Sequence, residues 1–323
     1  MGLRITQTAY YVPPKVVTND DLSQLMDTSD AWIKSRTRIE QRHVSTGEQT
    51  SDLSLQVAQK LLAESGWTAD SLDFIIVATM SPDYLTPATA AIVQGQIGAT
   101  KAMAFDINAA CSGFIYALVQ ANHLLQGSYQ RGMVIGAETL SKLVDWHERS
   151  TAVLFGDGAG GVLVESSPNP QVGILAEDLR AFGQDQQYLT AGYQPVQNIF
   201  MSSKPAGNPY FAMDGRRVYY FATHEVPNSV QRALKKAPLT GEQVDWWLLH
   251  QANGRIVEAI ANHLHQPQER FLTNVASYGN TSAASIPILL AETVAQEKLQ
   301  RGQRVVLSGF GGGLTVGSVV LTY

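Results

Sequence analysis

Apolar runs along the chain are short, and longer amphipathic stretches separate them. The stretch LLAESGWTADSLDFIIVATMSP leaves a helical pattern, passes a turn and an acidic residue (Asp73), and enters a four-residue apolar run. RALKKAPLTGEQVDWWLLHQAN does the same around Asp245. The runs are short and rich in β-branched or aromatic residues, which predicts strands, while the flanking stretches carry helical spacing. The echo continues. CSGFIYALVQANHLL is followed by QRGMVIGAET, and NTSAASIPILLAETVAQEKL by QRGQRVVLSGFGGG. Cys111 lies 21 residues before Gly132, and Asn280 lies 22 before Gly302. Each half closes on a glycine-rich strand pair, FGDGAGGVLVE and GFGGGLTVGSVVLTY. Order, spacing and a repeated QRG tripeptide predict a duplicated α/β unit with mixed or parallel sheets and helices between or outside them. The Ser-, Pro- and Asn-rich SSPNPQ stretch marks the boundary. The expected halves are residues 1–168 and 169–323.

The segment from Gly183 to Pro209 has no counterpart in the echo. Rich in Gln, Gly, Pro and Tyr, it is too long for a plain connection, and reads equally as a lid over a pocket or a surface hairpin. The remaining bulk properties exclude more than they assign. The 323 residues are 45% apolar and 16% charged, ample for a large core. A net charge of −5 argues against a general nucleic-acid coat. No apolar stretch is long enough to predict a membrane span, and MGLRITQTAY lacks the apolar region of a secretory signal. A single cysteine rules out an intrachain disulfide framework and a Cys-rich metal site. A cytoplasmic address is the expectation.

That cysteine, Cys111, follows the strand-like AFDINAA and heads a largely apolar helix. The unpaired N–H groups and positive dipole end of such a helix favour thiolate over thiol. Ala109, Ala110, Ser112 and Gly113 leave room for a substrate. An inert buried cysteine fits the position as well. His250 ends the apolar run of WWLLHQAN, at the C-terminal edge of a predicted sheet, where α/β sites gather. Asn280, in SYGNTSAAS, begins the second echoed helix. It reads as a helix cap and, by the echo, as the counterpart of Cys111. GFGGG at 309–313 offers a backbone that can approach a ligand closely, and a free N–H there would complete an oxyanion hole with the N–H of Cys111.

AACSGF, LLHQAN, GNTSAAS and GFGGG, in that order, together with TSDAWIKSRTRI and FGDGAG, resemble the β-ketoacyl-acyl-carrier-protein synthase III family over nearly the whole chain. The resemblance implies a thiolase fold, with two similar halves in a five-layer α-β-α-β-α sandwich, a homodimer, and initiation of fatty-acid synthesis. It implies that Cys111 is acylated by an acyl-CoA primer and that His250 and Asn280 hold the malonyl thioester carbonyl during decarboxylation. The N–H groups of Cys111 and Gly312 would form the oxyanion hole. Trp32 would stack on the adenine of coenzyme A with Arg149 on the opposite face. Thr28 would bond the base, Arg36 would meet phosphate, and Asn253 would touch pantetheine. Arg255 matches the docking arginine for the acidic carrier protein. The residue types suit the chemistry: sulfur nucleophile and leaving group are matched, and an enolate wants two donors with no competing carboxylate. No metal or redox cofactor is required; acyl-CoA is a substrate.

Two departures stand out. Thr86, in PDYLTPATA, occupies a position where many relatives carry a phenylalanine that closes the acyl pocket across the dimer, so longer primers are the expectation. Tyr220 stands where relatives carry a basic docking residue, and ANHLH lacks their lysines; Arg216 and Arg217 are the candidates to compensate. The competing functions are an acyltransferase that passes the acyl group to a secondary-metabolite acceptor without decarboxylation, and a non-catalytic partner subunit. The first has no use for an enolate clamp, and the second none for Cys111.

Overall fold

The computed structural model describes residues 2–203 and 206–323. Lys204 and Pro205, inside the segment predicted as lid or hairpin, lie outside the described residues. One sheet comprises β1 (Gly2–Tyr11), β2 (Phe74–Ala78), β3 (Met103–Ile107), β4 (Arg131–Glu138) and β5 (Gly158–Ser167), in the order β1-β5-β4-β2-β3. The second comprises β6 (Gly173–Ala181), β7 (Trp246–Leu249), β8 (Arg304–Gly311) and β9 (Thr315–Thr322), in the order β7-β8-β9-β6. The pairings repeat. β2 runs parallel to β4 with Phe74 opposite Gly132, and β7 runs parallel to β8 with Trp246 opposite Val305. A bridge from Trp247 to Phe271 stands where the first sheet has β3.

Six helices matter for the site: α1 (Asp30–Thr37), α2 (Thr50–Ser65), α3 (Gly113–Gln126), α4 (Gly215–Lys236), α5 (Gly254–His263) and α6 (Ser285–Ala295). The inner pair, α3 and α6, is apolar nearly all round because each is buried between the sheets. Phe114, Ile115 and Leu118 of α3 and Ile286, Leu289 and Leu290 of α6 share one core with Ile76 and Val134 of one sheet and Leu307 and Val319 of the other. The outer helices are amphipathic: α2 packs Leu53, Val57 and Leu61 on the first sheet, and α4 packs Val226, Val230 and Ala233 on the second. The result is the five-layer α-β-α-β-α sandwich of the thiolase fold. No helix among the described residues is long and apolar enough to cross a membrane.

The segment after β6 combines both expected forms. A two-turn 3-10 helix (Gly183–Tyr188) leads to the short strand Leu189–Thr190, which pairs antiparallel with Ala212–Met213. Leu189, Thr190, Ala191, Phe211 and Met213 wall a cavity, whereas Val196, Ile199 and Phe200 are exposed at the far end.

The register corrects one sequence expectation. The turn before α3 holds Ala110 at φ 46°, and the turn before α6 holds Ser282 at φ 47°. Asn108 accepts from the Ala110 N–H (3.2 Å), as Asn280 accepts from the Ser282 N–H (2.9 Å). Asn280 therefore corresponds to Asn108, and Cys111 to Ala283. By the same register His250 corresponds to Ala78 and Gly311 to Glu138. Counting from the QRG tripeptides misplaced the match because α6 and the connection after it differ in length from their counterparts.

Candidate active site

Cys111, His250 and Asn280 line one cavity of about 440 Å³. Each is brought there by a different backbone constraint. Cys111 sits in the single turn before α3, directly under β8. A Cβ on Gly311 would stand 2.6 Å from the Cys111 backbone N and 3.0 Å from its Cβ. Only glycine permits that approach. His250 follows β7 and is held by its N–H donating to Ser308 O (2.8 Å), while its ring meets Phe310 edge-on at 5.3 Å. Asn280 is fixed by a bridge to Phe155: its N–H donates to Leu154 O (2.8 Å), and Gly156 N–H donates to its carbonyl (3.0 Å). The FGDGAG stretch thus clamps the Asn280 backbone, and its Asp157 is tied by accepting from Ser45 and Ser141 N–H groups (2.7 and 2.9 Å).

All three side chains are buried. Burial lowers the His250 pKa to about 3, so the imidazole is neutral. Its Nδ1 is sealed without a partner, leaving Nε2 as the nitrogen available to a substrate. Burial also pushes the Cys111 thiol up to about 12, and the nearby Glu138 charge adds to that rise. Burial thus acts against the helix N-terminus: desolvation favours the thiol where the helix end alone favours the thiolate.

Gly312, Trp32, Arg36 and Asn253 line the same cavity. Gly312 packs close to Leu189 and Ala110. Asn253 caps α5 by accepting from the Arg255 N–H (2.9 Å), and its amide donates to Arg36 O (3.1 Å). Arg149 rests directly on Trp32, 4.8 Å from the ring centroid, and donates to Asp27 O (2.8 Å). The predicted slot for a base between the two is therefore closed here, because the guanidinium itself takes the ring face. Thr28 is outside the lining, with its hydroxyl buried and unpartnered.

Thr86 does not reach the cavity of its own chain; it is exposed beside Tyr84 and Leu85. Arg216 and Arg217 are exposed on the first turn of α4, and Arg255 on the first turn of α5. The same two turns present Gly215, Val218, Asn253 and Ile256 to the cavity, while none of the three arginines lines it, and Arg217 lies over the Tyr188 ring at 5.5 Å. Tyr220 stacks on His224 at 4.0 Å.

Sequence reasoning missed Met80, Phe155, Leu189, Phe211 and Ser282 in the lining, and Glu138 behind it. The first four are ordinary apolar residues whose sequence gives no sign of the shared wall. Glu138 reads in sequence as a strand-end charge, although it is wholly buried.

Two sequence families match this chain. "3-Oxoacyl-[acyl-carrier-protein (ACP)] synthase III" matches residues 105–183, and its C-terminal counterpart matches residues 234–323. The beta-ketoacyl-[acyl-carrier-protein] synthase III of Streptococcus equi subsp. zooepidemicus is 54% identical over 321 residues, 98% of each chain. That of Limosilactobacillus reuteri is 53% identical over 323 residues, 100% of this chain and 99% of its own. The crystal structure of 3-oxoacyl-[acyl-carrier-protein] synthase III from Aquifex aeolicus superposes with a TM-score of 0.93 at 41% identity, covering both chains in full.

Proposed function

This chain belongs to the β-ketoacyl-[acyl-carrier-protein] synthase III family, and on that premise we propose that it condenses an acyl-CoA primer with malonyl-acyl-carrier protein through an acyl-Cys111 intermediate. It is an acyltransferase-type ketosynthase that performs the initiating condensation of fatty-acid synthesis. The observation that carries the residue assignment is the cavity in which Cys111, neutral His250 and Asn280 meet under the Gly311–Gly312 backbone.

In the first half-reaction the Cys111 sulfur attacks the primer thioester. A new C–S bond forms, and the carbonyl oxygen gains charge between the N–H groups of Cys111 and Gly312. Burial favours the Cys111 thiol over the thiolate, so its proton leaves as the sulfur attacks and is taken up by the departing CoA sulfur, with His250 neutral throughout. In the second half-reaction the malonyl carboxylate leaves as CO2, and its electron pair passes into a thioester enolate. A neutral imidazole and a side-chain amide are two donors suited to that oxygen, and neither brings a competing negative charge. The enolate carbon attacks acyl-Cys111, the C–S bond breaks, and the released thiolate regains a proton from solvent. The burial that keeps His250 neutral fits both steps.

Trp32, Arg36 and Asn253 fit a CoA channel leading to Cys111, with Arg149 leaving the Trp32 face when a base enters. Arg216, Arg217 and Arg255, exposed on the helix turns that also line the cavity, fit an acidic carrier protein. A homodimer completes the pocket: Thr86, Tyr84 and Leu85 are exposed, and β3 is an open sheet edge. The enzyme acts in the cytoplasm, where its thioester substrates are made. The test is intact-protein mass after incubation with acyl-CoAs of increasing length, before and after malonyl-carrier protein. One acyl adduct on Cys111 that disappears as CO2 and 3-ketoacyl-carrier protein form is expected. An adduct that persists would assign another acceptor, and no adduct would end the reading.

A further inference from the structure

We propose that Glu138 is a positioning residue that couples the acyl pocket to the turn carrying Asn280, by filling the corner that duplication would otherwise leave as a second anion hole. The inference deepens the condensing reading and rests on it. In the working corner the last residue of β8, Gly311, lies against the backbone N of Cys111. In the mate corner the last residue of β4, Glu138, lies against the backbone N of Ala283, the counterpart of Cys111. That N–H faces Glu138 Oε1 at 3.5 Å. The two strands pass their turns in the same way: a Cβ on Gly136 would meet Ala283 O at 2.2 Å, and one on Gly309 would meet Cys111 O at 3.1 Å. An anion hole on one side therefore has a carboxylate-filled hole on the other.

The carboxylate has two arms. One holds the Thr79–Ser81 segment: Glu138 Oε2 accepts from Thr79 Oγ1 (3.1 Å), Met80 N (3.2 Å), Ser81 N (3.1 Å) and Ser81 Oγ (2.5 Å). The other, Oε1, shares the Met80 N–H (3.3 Å) and faces Ala283 N and the Ser282 hydroxyl, which lies beside both Glu138 and Cys111 without an aligned hydrogen bond to either. Met80 and Ser282 both line the cavity. A wholly buried carboxylate is costly unless its lone pairs are satisfied, and so many donors converging on one group make a rigid clamp. Acyl-chain seating at Met80 and the placement of Asn280, two residues before Ser282, thus share one support.

Glu138→Gln separates the arms at constant volume. Its amide oxygen goes to the Thr79–Ser81 arm, where Met80 N–H, shared between both carboxylate oxygens, keeps its bond to Oε2, and this leaves an NH2 group facing Ala283 N–H. Acylation of Cys111 by acyl-CoA is expected to stay near wild type in a single turnover. Condensation with malonyl-carrier protein should fall about 10- to 100-fold in kcat with little change in KM, as for a small misplacement of a reacting group. Ser81→Ala weakens the other arm and should instead alter primer-length preference while sparing condensation of enzyme already acylated. Equal loss in both half-reactions for each variant, or no loss in either, overturns the proposal. If Glu138→Gln does not fold, Ser81→Ala decides it alone. Wild-type enzyme measured alongside tests the condensing reading, so failure of that reading and failure of this one are distinct.

Discussion

The two corners where β4 and β8 end are built on one backbone and differ in almost every chemical group. One holds Cys111, His250 and Gly311; its mate holds Ala283, Ala78 and Glu138. What both keep is the turn: an asparagine accepting from the N–H two residues on, followed by a residue near φ 46° that is not glycine. The asparagine thus serves the turn geometry in both corners, and the donor role proposed for Asn280 comes in addition. Duplication supplied the helix N-termini and the strand crossing. The replacements set the corners apart: the proposed reacting groups line the cavity in one, and the Glu138 side chain faces the matching N–H in the other.

The sharpest way to break this comparison is to close the working corner. Gly311→Ala sets a Cβ 2.6 Å from the Cys111 N and 3.0 Å from the Cys111 Cβ, atoms that cannot swing away. Acylation should fall by about 10²- to 10³-fold, the size of a lost oxyanion donor. Acylation near wild type would mean that this backbone does not stabilise the transition state. The asparagine pair comes next. Asn280→Ala removes the proposed enolate donor and a turn bond, so condensation should fall by about 10²-fold or more while acylation survives. Asn108→Ala removes only the turn bond from an exposed residue and should cost about 1 kcal/mol of stability or less, with no split between half-reactions. Melting temperatures and single-turnover rates read both. Equal kinetic losses would show that the asparagines share one structural role.

Much of this was legible in the sequence because the duplicated fold is written in hydrophobic period. The buried strands, the two all-apolar helices and the glycine-rich closing strands announce themselves, and Cys111, His250 and Asn280 lie at the ends of those elements. What a periodic pattern does not specify is which residue of a three-residue turn faces the cleft, so the match of Asn280 to Cys111 came out displaced. Nor does it specify contacts made across the fold. The donors that hold Glu138 come from Thr79–Ser81 and Ala283, far away in sequence, and the GAETL stretch looks like any strand end. The closed Trp32–Arg149 stack likewise depends on two segments over a hundred residues apart. Thr86 is uninformative within one chain because the pocket it was expected to line would be that of a partner protomer in the proposed homodimer.

The smallest effect is a pH dependence, and here the corners carry opposite signs. Burial lowers His250 from 6.5 to about 3, so acidification protonates it in the unfolded chain first. Its contribution to stability is full above pH 6.5 and is lost as pH falls towards 3. Burial raises Glu138 from 4.5 to about 7, against the pull of its hydrogen-bond donors. Its contribution is full below pH 4.5 and is lost as pH rises through 7. Between pH 4.5 and 6.5 the two slopes oppose, and the wild-type melting temperature should owe little net slope to them. Glu138→Gln removes one slope and leaves the other, so its melting temperature should drop more steeply than wild type on acidification across that window. The condensation rate itself should show no limb at the ordinary imidazole value, because His250 stays neutral throughout. A limb near pH 6.5 in wild type, present in kcat for condensation, would mean that the imidazole is solvated when substrate is bound. The sealed histidine would then cease to distinguish the working corner from its mate.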